Sequence, residues 1–295
     1  MLKRYIVKRY KYNPYAVPFY VEDLSGNGGT LSIYTSLSDA TDIEYSTDAK
    51  TWSSTNPGVP AGGRVYMRAN ATYWSTSPNT TTARISCSSL HQIGGNIMSL
   101  MYGSSFDGTQ DTFINPNKQH IFERMFSYDA NLVSAGDLLL PAMTLTWDTY
   151  NYMFSHCTAL TTAPELPATD IYTGSYHAMF EYCSALVNPP SAMPATIYHG
   201  SGSNYAEMFD QCTSLTHTPV ISGSPTQAWG WTNMFRGCSS LNTITVESTQ
   251  WGSGNQISNW VQGVAATGTF YKPADTSIPV GSNGIPNANW TVINQ

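Results

Sequence analysis

Cys157 follows His156, and a thiol beside an imidazole is what a cysteine nucleophile needs: the ring takes the proton and the thiolate attacks. A reactive thiol also needs a part-exposed, electropositive setting. Cys157 instead sits on a recurring apolar stripe, where a free cysteine acts as a small hydrophobe. Asp170, Glu181 and Asp210 lie near aromatics and are the candidates for a glycosidase carboxylate pair. The same residues read equally as solvated surface. The histidines (His91, His120, His156, His177, His199, His217) are scattered and share no repeat position. The turn Phe106–Asp111 lacks the ligand spacing and closing Glu of a calcium loop. There is no metalloprotease, nucleophile-elbow, P-loop or dinucleotide motif. The expectation is a non-enzymatic chain with no catalytic, cofactor-binding or metal residue and no cofactor.

Recognition chemistry is better represented. Trp147, Tyr172, Tyr198 and Trp229 each add an aromatic to the stretch between two copies of the repeat. An aromatic face stacks and its polar edge hydrogen-bonds, so a repeated row of them suits a glycan or protein ligand. The same rings also suit packing over the neighbouring loop. At the N-terminus, Lys3, Arg4, Lys8, Arg9 and Lys11 occur among residues 1–12 with no acid. The rest of the chain sets 8 bases against 19 acids. A basic arm on an acidic body suits anchoring to an acidic partner surface; nucleic acid is not the expected partner.

The elements that would position these residues are set by five copies of one pattern: an aromatic, Met-Phe, usually Cys, then Leu at offsets i, i+3, i+4, i+7 and i+10. They are Phe122-Met125-Phe126-Asp129-Leu132, Tyr150-Met153-Phe154-Cys157-Leu160, Tyr176-Met179-Phe180-Cys183-Leu186, Tyr205-Met208-Phe209-Cys212-Leu215 and Trp231-Met234-Phe235-Cys238-Leu241. The first four offsets fit one face of an α-helix. The Met residues are 28, 26, 29 and 26 positions apart, the period of a solenoid whose units bury their apolar faces only by stacking. Four of the five cysteines share one repeat position. Such a row is too widely spaced for disulfides and cannot wrap a metal, so the thiols are expected buried and free.

Before the repeats, Thr30–Tyr34, Ile43–Ser46 and Arg64–Ala69 alternate with period two between Gly and Pro turns, as short strands do. The expected organisation is an arm at 1–20, an immunoglobulin-like β-sandwich at 21–82, repeats at 83–248 and a cap at 249–295. The fold class expected is α+β: a small sandwich followed by a leucine-rich-repeat solenoid of short helices and extended segments. Charged residues are only 11%, as in many extracellular and virion proteins. No apolar stretch approaches the roughly 20 residues of a membrane span. Lys8 and Arg9 interrupt Tyr5-Ile6-Val7, so no secretory h-region is expected.

The motif Tyr-x-x-Met-Phe-x-x-Cys-x-x-Leu, with Leu166-Pro167-Ala168-Thr169 closing a unit, resembles the BspA-type leucine-rich repeats. The segments Trp260–Phe270 and Trp290-Thr291-Val292 look like the ends of such proteins in gut anaerobes and their phages. The resemblance covers about residues 83–295; Asp129 in the first copy, and the missing Leu-Pro-Ala-Thr in the fifth, depart from it. It implies surface adhesion or protein interaction without shared catalytic residues. The opening Tyr10–Tyr20 looks more like the phage members. The resemblance thus implies a virion decoration or a head or tail fibre. Its arm would meet other virion or surface proteins and its repeats a host protein or glycan; a homo-oligomer, trimer or dimer, is left open by the sequence. A bacterial surface adhesin and a glycan hydrolase are the alternatives.

Overall fold

The computed structural model describes residues 13–35, 39–74, 84–193, 197–200, 202–224 and 230–295. Lys3, Arg4, Lys8, Arg9, Lys11 and Trp229 lie outside the described residues.

The strands are β1 (Tyr20–Asp23), β2 (Leu31–Ile33), β3 (Thr41–Ser46), β4 (Arg64–Asn70), β5 (Ile85–Cys87), β6 (His91–Asn96), β7 (Leu132–Leu139), β8 (Asp170–Ile171), β9 (Ala192–Met193), β10 (Ile197–Tyr198), β11 (Val220–Ile221), β12 (Thr243–Thr245), β13 (Gly268–Lys272) and β14 (Trp290–Asn294). The one α-helix among the described residues, α1, is Ser99–Tyr102. A five-stranded sheet runs β3-β4-β1-β6-β7, antiparallel except for the parallel pair β6–β7. β2 and β5 pair separately. Further along, β8–β10, β9–β11 and β12-β13-β14 are all parallel.

The expected solenoid of helices is therefore wrong, and the hydrogen bonds give the reason. In an α-helix every N–H reaches back four residues. Here alternate N–H groups reach back only three: Met125 to Phe122 (3.3 Å), Ser127 to Arg124 (3.2 Å) and Asp129 to Phe126 (3.2 Å). The others donate to the next copy: Phe122 to Thr149 (2.9 Å), Arg124 to Asn151 (2.9 Å), Phe126 to Met153 (2.9 Å) and Tyr128 to Ser155 (2.8 Å). Each copy is thus a coil of overlapping turns, tied to the following coil through half of its amides. Every fourth residue has positive φ: His120, Arg124 and Tyr128, then Asp148, Tyr152 and His156 in the next coil. A right-handed helix admits none of these.

Gly263 tests this backbone directly. Its φ is +79°, and an added Cβ would meet only ordinary contacts with Gly237. Gly263→Ala is expected to lower stability by about 1–2 kcal/mol through left-handed strain alone. In a helix the same change would raise it by roughly 1 kcal/mol. Chemical denaturation gives the sign.

The immunoglobulin-like sandwich also needs correction. The alternation is real, since β4 buries every second residue, but the strands do not close on one another. β1 takes β4 on one edge and β6 on the other, and β6 passes the sheet to β7 at the first coil. Gly95 permits a close approach of β6 to the segment before β1: its φ is +75° and the place of its missing Cβ is taken by the Pro18 carbonyl.

One apolar core runs from Phe19 to Trp290. Tyr176, Met179, Phe180 and Cys183 are all buried, as are their counterparts. The rings stack from coil to coil. Phe126, Phe154, Phe180, Phe209 and Phe235 form one ladder with centroids 5.2–5.5 Å apart. Phe122, Tyr150, Tyr176 and Tyr205 form a second at 5.6–6.1 Å. Each repeat thiol donates to the Phe carbonyl of the preceding coil: Cys157 to Phe126 (3.0 Å), Cys183 to Phe154 (3.1 Å), Cys212 to Phe180 (3.1 Å) and Cys238 to Phe209 (3.0 Å). All five cysteines are free and buried. Asp129, in the Cys position of the first coil, is buried 3.3 Å from His91 Nε2 on β6. At the far end the ladder stops on residues 282–284. The Val261 amide donates to Ser282, that of Asn259 to the Asn283 side chain, and the Trp260 indole to Gly284. Among the described residues no helix is long and apolar enough to cross a membrane.

Candidate binding groove

The stretches before successive coils lie side by side. Thr144 bridges Asp170 in parallel, and β8 continues that register to β10 through Asp170–Ile197 and Ile171–Tyr198. The same hydroxyl device fixes two of them. The Thr149 hydroxyl accepts the Thr146 N–H (2.9 Å) and donates to its carbonyl (2.8 Å). Ser175 does the same at Tyr172 (3.0 and 2.7 Å). Thr146, Tyr172 and His199 are therefore equivalent positions, and the Trp147 carbonyl is held by the His120 amide at 3.0 Å.

This arrangement brings Trp147 and Tyr172 to one open groove of about 640 Å³. Phe113, Pro116 and Leu145 give it an apolar base, while Thr112, Asn117, Gln119, Thr144 and Thr146 supply amides and hydroxyls. Trp147 is 41% exposed and Tyr172 half-buried. Among the described residues no carboxylate, ammonium, guanidinium, imidazole or thiol lines it. Among the described residues the side chains of Asn117, Gln119, Thr144 and Trp147 have no hydrogen-bond partner.

Of the four loop aromatics, Trp147 and Tyr172 thus share a site. Tyr198 is placed in β10 with its backbone beside Ile171, its side chain lying outside the described set, as does Trp229 altogether. The ring that stacks on Tyr172 is His199, with centroids 4.5 Å apart and planes 21° apart. His199 Nε2 in turn contacts Asp170 Oδ1 at 2.7 Å. His199 was not selected from the sequence; its register with Tyr172, one residue past the chosen Tyr198, was the available signal. Asn117 and Gln119 carried no sequence signal at all.

The remaining candidates are dispersed. Cys157 points at the Phe126 carbonyl, and burial pushes its thiol well above the ordinary range. His156 lies between Tyr128 and Tyr182 at 4.3 and 4.6 Å, in a second aromatic row away from the groove lining. Glu181 accepts from the Ser155 hydroxyl (3.1 Å), and burial raises its pKa. Asp210 pairs with Arg236. Asp107 accepts the Thr109 amide (2.9 Å) and hydroxyl (2.6 Å), an ordinary Asx turn. Among the described residues no cluster of three or more His, Cys, Asp or Glu could hold a metal ion. No family model, curated protein or solved structure matches this chain.

Proposed function

We propose that this protein is a non-enzymatic structural and adhesion protein, a virion decoration or a head or tail fibre. On this reading the groove at Trp147 and Tyr172 meets a host or mucosal surface ligand, and the basic residues 1–12 attach the chain to its assembly. One observation carries the proposal. Two aromatics from different coils converge on an open groove beside partnerless amide and hydroxyl groups, while no ionisable acid–base pair lines it. Asn117, Gln119 and Thr144 are exposed beside Trp147, so their amides and hydroxyl are free to meet a ligand in place of water. The resemblance in sequence to phage-borne surface proteins suggests the setting.

The test uses the full chain. With Trp147→Ala and Tyr172→Ala together, binding to intact host cells or immobilised mucin is expected to fall at least about tenfold. Trp147→Ala alone should move the thermal midpoint by no more than roughly 2 °C, since the ring is 41% exposed, whereas Tyr172→Ala also removes the stack on His199 and is expected to move it further. A large fall in midpoint with unchanged binding by the surviving folded protein would make both rings structural. Absence of the protein from purified particles would defeat the virion setting.

A further inference from the structure

We infer that the groove takes an uncharged pyranose oligosaccharide, one sugar ring lying on the open face of Tyr172 and a neighbouring one meeting the Trp147 indole. The inference rests on the binding role proposed above and narrows it to one ligand class.

The geometry at Tyr172 carries it first. In the row Thr146, Tyr172, His199, the imidazole covers one face of the phenol ring at 4.5 Å. The Asp170 contact holds that imidazole in place. Position 146, on the other side, is a threonine, too short to supply a ring. Among the described residues no aromatic therefore stacks on the opposite face of Tyr172, and Thr146 itself lines the groove. Trp147, the next residue, stands at the same opening with its indole N–H unpartnered among the described residues. Two apolar ring faces beside hydroxyls and carboxamides match a pyranose, whose C–H faces are apolar and whose rim is a ring of hydroxyls.

Charge argues against the alternatives. A sialylated, sulfated or phosphorylated ligand would need a cation or an array of backbone donors. Among the described residues no base lines the groove, and the His199 imidazole is turned to Asp170 Oδ1 at 2.7 Å. A protein ligand would be expected to bury an apolar or charged anchor. This groove instead mixes five amide or hydroxyl side chains with five apolar or aromatic ones, in a volume of about 640 Å³ that suits a small molecule.

The experiment titrates the full-length protein, by tryptophan fluorescence and calorimetry, with maltotriose, chitotriose, mannotriose and galactosyl-lactose. Trigalacturonate and 3′-sialyllactose serve as acidic comparators. At least one neutral trisaccharide is expected to bind saturably. Its Kd should change less than about twofold between about 50 and 500 mM NaCl. Trp147→Ala should weaken it at least about tenfold. Thr146→Tyr, which builds a ring against Tyr172, should block binding while leaving the fold intact.

Preference for the acidic sugars with steep salt dependence would overturn the inference, and so would binding of none of the four neutral probes. In either case, surface adhesion that still depends on Trp147 would leave the adhesive role standing and point to another ligand. Adhesion independent of Trp147 would remove both.

Discussion

Phe180→Ala is expected to lower the unfolding free energy by about 3–5 kcal/mol, the usual range for an aromatic removed from a packed core. Phe180 is fully buried and lies between Phe154 (5.5 Å, 3°) and Phe209 (5.4 Å, 15°). Its loss breaks two stacked pairs at once, and the coils on either side cannot collapse into the gap. Their separation is fixed by amide bonds such as Phe180 to Met208 and Phe154 to Met179, both 2.9 Å. A fall in thermal midpoint of roughly 6–10 °C follows for a chain of this size. Phe180→Leu, which keeps most of the volume, should recover more than half of the loss. A fall of under about 1 kcal/mol for Phe180→Ala would mean that the ladder is not the core of the stack.

The second large effect is electrostatic. Asp210 is buried, and the Arg236 guanidinium holds it through Nε (3.1 Å) and Nη2. Burial pushes the Asp210 carboxyl above its ordinary pKa, the bonds to Arg236 pull it down, and Glu207 pushes it up again. Glu181 stands close enough to feel both carboxylates. Arg236→Met would leave Asp210 buried without its cation. Breaking a buried pair costs about 3–5 kcal/mol; because the guanidinium is partly in water, about 2–3 kcal/mol is expected near pH 7.5.

The pH dependence has a definite sign. The folded pKa of Asp210 lies above its unfolded value, so the folded form binds the proton more readily. Stability from the neutral carboxyl is present at low pH and is lost as pH rises through the folded pKa. Removing Arg236 moves that window upward. The penalty should shrink near pH 5 and largely vanish in Asp210→Asn with Arg236→Met. A loss unchanged between the two pH values, or not relieved by the asparagine, would contradict this account.

Much of the packing was legible in the sequence, but its backbone was misread. The offsets i, i+3, i+4 and i+7 suit a helix of 3.6 residues per turn. Over eight residues they suit a repeat of four equally well. In every repeat two aromatics lie four apart, such as Tyr150 and Phe154, and in all but the first repeat a pair of sulfur residues does, such as Met153 and Cys157. The positions with positive φ also recur every four, at Asp148, Tyr152 and His156. Gly237, Asn233, Gly263 and Asn259, which tolerate that conformation, were the visible clue.

Strands β2, β3 and β4 lie where the alternation placed them. Period two states which face is buried and nothing about the partner, so the joining of β1 to β6 could not be read. Asp129 was legible as a departure from the thiol column. That it would be buried against His91 depended on a contact 38 residues back in the chain. At the groove, Trp147 and Tyr172 stood out by type. His199 and the amides of Asn117 and Gln119 came from register and from a separate loop, which no local pattern reports.

The way each coil meets the next has a consequence for how such a molecule can change. The donors that Phe122, Arg124, Phe126 and Tyr128 direct forward are those that Tyr150, Tyr152, Phe154 and His156 direct forward one unit later. A duplicated unit would find matching acceptors above and below, and the closing segment around Asn283 takes the donors of the last coil. Copy number is thereby separable from foldability. Recombination can lengthen or shorten the protein in whole steps, altering the reach of its stacked edge without redesigning either end.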